Sequence, residues 1–287
     1  MPREADTRSY GRVFDEVAED YDRHRPTYPD ALVDQACEGI APGSPVLEIG
    51  CGTGQLTRSL LARGLRVTAV EPGQQLIARA RDRLNGTGGV QFVDARLEDA
   101  SLPRAWYAAV FSASAIHWID PDVGWRTAAD ALVDGGSLAL LSYFGLDDPR
   151  SAADQRALRA AIATIAPEAA ADWPTYRDIA GTLAGARARR ENISEVWAWL
   201  GSHDIARGYV ADVFDDTQIV IAAPMQLEHT ADELNALLGT MSFWARLSPR
   251  QRDALLAENH ALHQRLGRPI RSSAVACLVV ARRQPRT

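Results

Sequence analysis

The sequence predicts an α/β fold between residues 45 and 145: a Rossmann-like sheet, mostly parallel, with helices on both faces. Three observations carry it. Short apolar runs alternate with stretches of helical periodicity, at a spacing that suits parallel strands joined by crossover helices. The runs are rich in apolar residues, as strands covered on both sides must be. The segment EIGCGTGQL places Gly50, Gly52 and Gly54 directly between the first run and the first helix, where glycines let the backbone turn and approach a ligand.

The elements follow in order. Val13, Phe14, Val17 and Tyr21 fall at helical spacing over residues 11–22. Pro26 and Pro29 break that helix, and Asp30 starts another with Leu32, Val33 and Cys37 on one side. PVLEIG is the first strand, followed by the glycine loop and a helix from Gly54 to Arg63. LRVTAVEP is the second strand, with a helix from Gln74 to Leu84 after it. VQFVDA and WYAAVFSA are the third and fourth, the latter followed by a helix from Asp122 to Val133. GGSLALLSYF is the fifth strand, and after Gly145 the regularity stops. Residues 150–213 read as helices, DTQIVIAAP as a sixth strand. Thr230 with Glu233 is a capping-box start for a helix ending near Leu238. Residues 249–266 form an amphipathic helix, and SSAVACLVVARR is the seventh and final strand. The expected division is an N-terminal helical arm over 1–40, a core over 41–145, a helical lid insertion over 146–212, and a C-terminal part of the core over 213–287 with a second insertion at 240–270.

Composition narrows the function. The chain has 287 residues, 46% of them hydrophobic and 24% charged, which suits a soluble globular protein. No apolar run approaches the ~18 residues that cross a bilayer, and Met1 to Arg25 is too rich in charge for a secretory signal. A net charge of -6 argues against a general nucleic-acid binder. Cys37, Cys51 and Cys277 are too few and too scattered for a zinc site or a disulfide framework, so no metal and a reducing cytoplasm are expected. All 31 basic residues are arginine. The absence of lysine argues against pyridoxal-phosphate enzymes, P-loop NTPases and protein kinases, whose chemistry depends on one.

Glu71 ends the second strand about twenty residues after the glycines, where a carboxylate accepts hydrogen bonds from ribose hydroxyls. A dinucleotide fingerprint would carry a third glycine at Gln55; here the spacing is GxGxG, with Glu48 just before it. VLEIGCGTGQLT resembles motif I of the class I S-adenosylmethionine (SAM) dependent methyltransferases. VEPGQQLIARAR is similar to their second motif, VQFVDARLEDASLP to their adenine-binding segment, and FSASAIHWID to the segment after strand four. Within that family the arm YDRHRPTYP, the pair His117–Trp118 and, more loosely, the tail HTADELNALLGTMSFW resemble the trans-aconitate methyltransferase-like, small-molecule subgroup.

The resemblance implies a seven-stranded sheet with its last strand antiparallel, SAM as cofactor and S-adenosylhomocysteine (SAH) as product. It implies that Glu48, Gly50, Cys51, Gly52 and Gly54 surround the methionine part, and that Glu71, Pro72 and Leu76 meet the ribose side. Arg96, Leu97 and Glu98 would meet the adenine, Ser112, Ala113 and Ser114 the methyl side. Two positions depart from the family pattern. Ala108 stands where many relatives have aspartate, and Arg96 stands where the adenine acid falls, so the backbone at Leu97 is the expected adenine contact. Tyr21 and Arg25 would bring the arm over the cofactor, Arg25 offering a fork to a carboxylate. His117 stands at the methyl-transfer position, either as general base or as a group that orients its loop. Trp118, Trp173, Phe243 and Trp244 are candidate walls of a pocket for a hydrophobic or aromatic small molecule methylated on O, C or N, while Ile193, Val196, Trp197 and Leu200 follow the spacing of a buried helical face. The alternatives are an NAD(P)-dependent oxidoreductase built on the same loop and a non-catalytic SAM-binding protein.

Overall fold

In the computed structural model, residues 15, 19, 23, 26–170, 176–201, 208–215 and 217–286 are described. A short helix, α1 (Asp30–Ala36), precedes the sheet and buries Leu32, Val33 and Ala36. The apolar run PVLEI forms β1 (Pro45–Ile49), buried at four of its five residues because it lies inside the sheet. β2 (Arg66–Glu71), β3 (Val90–Asp94), β4 (Tyr107–Ala113) and β5 (Leu132–Gly145) extend it in parallel, in the order β3-β2-β1-β4-β5. α2 (Gln55–Ala62), α3 (Gln74–Arg83) and α4 (Pro121–Ala131) are the crossovers. α4 is capped by the Asp120 carboxylate and stops at Ala131, two residues short of the expected end, because β5 pairs with β4 from Leu132 onward.

Alternate residues of each strand serve opposite faces. Leu47, Ile49, Val110, Leu138 and Val279 join one core, under α4; Val46, Phe111, Leu141 and Leu278 join the other, under α1 and α2. The last strand, β8 (Ile270–Arg282), runs antiparallel beside β5, as expected.

Its far edge holds two segments, β6 (Gln218–Ile221) and β7 (Met225–His229), so seven strand positions contain eight segments. β7 was absent from the expected elements. Ile221 faces Cys277 and Met225 faces Ala274, so four steps along the edge match three along β8. Pro224, which has no N–H, lies in that slip.

Five more helices among the described residues complete the chain: α5 (Ala152–Ile165), α6 (Ile179–Arg187), α7 (Ile193–Gly201), α8 (Ala231–Gly239) and α9 (Pro249–Leu266). Both capping boxes, Thr230–Glu233 and Ser248–Gln251, are formed. The apolar stripe of α7 lies on the sheet: Ile193, Val196, Trp197 and Leu200 belong to the same core as Leu47 and Leu138. Helical spacing marked that stripe as buried, and the structure supplies what it is buried against. α5, α8 and α9 instead share a separate cluster around Leu158, Ile162, Leu234, Leu238, Phe243, Leu255 and Leu262. A half-buried ion pair fastens this unit to the start of β8: the buried Asp154 accepts from Arg268 at 2.7 and 3.0 Å and from the Arg271 N–H at 2.8 Å. Among the described residues no helix is long and apolar enough to cross a membrane.

Trp197 is one of the largest side chains buried in the sheet's core. Trp197→Ala is expected to lower unfolding stability by about 3–5 kcal/mol in a urea titration. A loss below about 1 kcal/mol would place α7 outside the core.

Candidate functional site

The expected site residues among those described fall mainly at the carboxyl ends of β1, β2, β3 and β4, where open α/β sheets bind ligands. Gly50, Gly52 and Gly54 have φ of 71°, 53° and 79°, a left-handed run that L side chains resist. A Cβ at Gly50 would be driven into the Ala115 methyl, so this glycine lets the loop after β4 pack on the turn after β1. Gly54 opens α2 and sits close to Ala80 of α3. Within the turn Cys51 is buried, and burial pushes its thiol well above its ordinary pKa. Thr53 is also buried, and its hydroxyl has no hydrogen-bond partner among the described residues.

Glu71 closes the turn from the other side. Its Oε2 accepts the Gly52 N–H and its Oε1 the Gly73 N–H, each at 3.0 Å. A carboxylate has about four acceptor positions, so two remain for hydroxyl donors. Burial raises the Glu71 pKa, the two N–H bonds oppose that rise, and Asp15 and Asp94 add to it by their charge. Asp15 reaches this corner from the arm: its Oδ1 accepts the N–H groups of Gln75 at 2.7 Å and Leu76 at 3.0 Å, capping α3. Glu19 pairs with Arg79 at 2.9 Å farther along the same helix. Leu76 is buried here, and Pro72 is exposed.

Glu48 has a different setting. It is fully buried, and the Thr57 hydroxyl of α2 donates to it at 2.6 Å. Its carboxyl is raised from 4.5 to about 8 by burial, against the Thr57 bond and with the Glu71 charge adding to the rise. The geometry makes it an anchor between β1 and α2.

After β3, Leu97 is buried, while Glu98 accepts from Arg96 at 3.1 Å and from the Asp120 N–H at 3.2 Å, joining this loop to the start of α4. Ser112 is buried and donates to the Ile49 carbonyl at 3.2 Å, so β4 and β1 end together, with Ala113 next in line. Ser114 has a φ of 53° and its Oγ lies 3.0 Å from the Tyr28 hydroxyl. His117 lies on the short helical turn Ile116–Trp118, its ring centroid 5.0 Å from that of Trp118 and 6.4 Å from that of Trp197.

Some candidates are not brought here. Phe243 is buried in the cluster of α5, α8 and α9, and Trp244 packs against the same cluster. Tyr21, Arg25 and Trp173 lie outside the described residues. Conversely, Asp15, Tyr28, Thr53 and Tyr143 were not singled out from the sequence. Tyr28 sits inside the arm motif that drew attention to Tyr21 and Arg25; Asp15 and Tyr143 carry no local signal.

Residues 46–136 match a family model described as a methyltransferase domain, a span that includes the glycine turn, Glu71 and His117. An uncharacterized methyltransferase of Mycobacterium tuberculosis is 36% identical over 121 residues, 42% of this chain and 48% of that protein. A methyltransferase of Claviceps purpurea is 30% identical over 124 residues, 42% of this chain and 39% of that one. The chain spans about half the length, or less, of the curated relatives it matches. Among solved structures, a proposed type II methyltransferase from Anaeromyxobacter dehalogenans superposes with a TM-score of 0.57 at 23% identity, covering 91% of this chain and 99% of that one. Phosphoethanolamine N-methyltransferase 2 of Haemonchus contortus, solved with phosphomonomethylethanolamine and SAH, gives 0.52 at 15% identity, covering 99% of this chain and 62% of that one. These likenesses establish the class I methyltransferase fold.

Two outcomes test the geometry. Gly50→Ala is expected to lose at least about 2 kcal/mol of stability, from its φ and from contact with Ala115. Adding Ala115→Gly should restore only the contact part; a fully stable Gly50→Ala would contradict the packing. For Glu48, the folded pKa lies above the unfolded one. Its contribution to stability is therefore complete below the ordinary carboxylate pKa and is lost as pH rises through about 8. The melting temperature should fall by several degrees between about pH 6 and about pH 9, and Glu48→Gln should flatten that fall. An unchanged slope in the variant would contradict the assignment.

Proposed function

We propose that this chain is a class I SAM-dependent methyltransferase that methylates a small molecule. The observation that carries the reading is the Glu71 carboxylate, held by the Gly52 and Gly73 amides at the rim of a three-glycine turn, with acceptor capacity left for a diol. The methyltransferase-domain match over residues 46–136 supports it. The residues fit the cofactor: the left-handed glycines hold the turn's backbone beside Glu71, and the Thr53 hydroxyl, without a partner among the described residues, offers a further hydrogen bond in the same turn. A net charge of -6 supports a small molecule over nucleic acid as the acceptor.

When bound, SAM supplies a methyl group already activated on a sulfonium. The work left to the chain is alignment and exclusion of water. Glu71 would hold the ribose end, the backbone at Leu97 would meet the adenine, and Ser112, Ala113 and Ser114 would meet the methionine and methyl side. By the family resemblance, Tyr21 and Arg25 of the arm, residues 1–40, would take part, Arg25 toward the methionine carboxylate. His117 takes a proton from an acceptor that loses one, or orients its loop for an acceptor that does not. The half-buried ring of Trp118 beside it favours a hydrophobic or aromatic acceptor. Phe243 and Trp244 serve the packing of the α5–α8–α9 unit. The arm motif YDRHRPTYP supports a place in the trans-aconitate methyltransferase-like subgroup, so small unsaturated acids belong among the acceptors tried.

Glu71→Ala is expected to weaken SAM binding about tenfold or more in calorimetry, with NADH failing to bind either form. Methyl-labelled SAM should label at least one of a panel of hydrophobic, aromatic and carboxylic acceptors. Unchanged SAM affinity in Glu71→Ala would overturn the cofactor assignment. Most turnover retained in His117→Asn would assign His117 to orienting the loop.

A further inference from the structure

Ser114 follows β4 directly, in the left-handed region, where a residue with a side chain is held only by its surroundings. Its N–H donates to the Leu141 carbonyl of β5 at 2.9 Å. Its Oγ lies 3.0 Å from the Tyr28 hydroxyl and 3.5 Å from the Ser142 Oγ. Tyr28 comes from the arm and is itself secured from below. Its ring stacks on Tyr143, with centroids 4.9 Å apart and planes 21° from parallel, and the Tyr143 hydroxyl donates to the Thr27 carbonyl at 2.6 Å. The stack and the Thr27 bond fasten Pro26–Pro29 without using the Tyr28 hydroxyl, which is directed to Ser114.

A hydroxyl both donates and accepts. If Tyr28 donates, the Ser114 oxygen is engaged as an acceptor and its own proton is freed to donate to Ser142 or to a ligand oxygen; the first bond also polarises the second. We propose that Tyr28 is a positioning residue that acts through Ser114, aiming the Ser114 hydroxyl at the amino-acid part of the bound cofactor. This rests on the reading of the chain as SAM-dependent, with Ser114 beside the methionine moiety. The strained backbone at Ser114 fits such a role, since it turns the side chain toward the arm at the corner where β4 leaves the sheet.

The test compares two ligands that differ at this end. SAH carries the amino-acid part, and 5′-methylthioadenosine lacks it. Both are titrated by calorimetry into the native chain, Tyr28→Phe, Ser114→Ala and the double variant, with melting temperatures recorded. Tyr28→Phe keeps the ring stack and removes only the hydroxyl. Each single variant is expected to bind SAH about five- to tenfold more weakly, the loss of one hydrogen bond, and the double variant no more weakly than either. Affinity for methylthioadenosine should be unchanged throughout. If Ser114→Ala fails to fold, Ser114→Gly removes the same hydroxyl without the backbone strain. Native SAH affinity in Tyr28→Phe, additive losses in the double variant, or equal losses for both ligands would overturn the proposal. Failure of the native chain to bind SAH would remove the cofactor reading and this proposal with it.

Discussion

The carboxylate of Glu71 ties the glycine turn after β1 to the turn that opens α3, one oxygen to each amide. It does so from a buried position, where an ionised carboxylate is costly unless donors surround it. The two N–H groups supply part of that compensation. Their geometry in turn depends on the parallel register that ends β1 and β2 side by side, with Ile49 facing Val70. Gly73 completes the constraint, because a Cβ there would press on both the Glu71 and Asp15 carboxylates. The arm, the glycine turn and α3 therefore meet around one acid.

Around that centre the sheet separates two kinds of packing. α4 and α7 share the core with the strands, while α5, α8 and α9 form their own cluster, fastened to β8 through Asp154. Among the described residues, the arm reaches α3 through Asp15 and Glu19, and β5 and the loop after β4 through Thr27 and Tyr28. In the sheet order these places lie on either side of β1 and its glycine turn. The arm's described anchors thus bracket the turn that the rest of the fold presents.

What the sequence disclosed follows from the range of the interactions involved. The apolar runs of β1 to β5, the glycine turn and the Thr230–Glu233 capping box are patterns within a few residues, so pattern alone located them; the Ser248–Gln251 box was not singled out. β7 escaped notice because MQLEH is short, starts after a proline and runs into the Thr230 cap. Trp197 was legible as a buried position, but helical spacing cannot say which surface does the burying. Glu48 reads like a cofactor residue by its place in the motif, and only the Thr57 contact, nine residues on, reveals its anchoring role. The Tyr28–Ser114 pair spans 86 residues and leaves no periodic trace at all.

The central claim is that the turn around Glu71 is built for SAM. Calorimetric titration of the native chain with SAM, and separately with NADH, tests it most directly. Saturable one-to-one binding of SAM is expected, and none of NADH at the same concentrations. Binding of NADH in preference to SAM, or of neither by a folded chain, would contradict it.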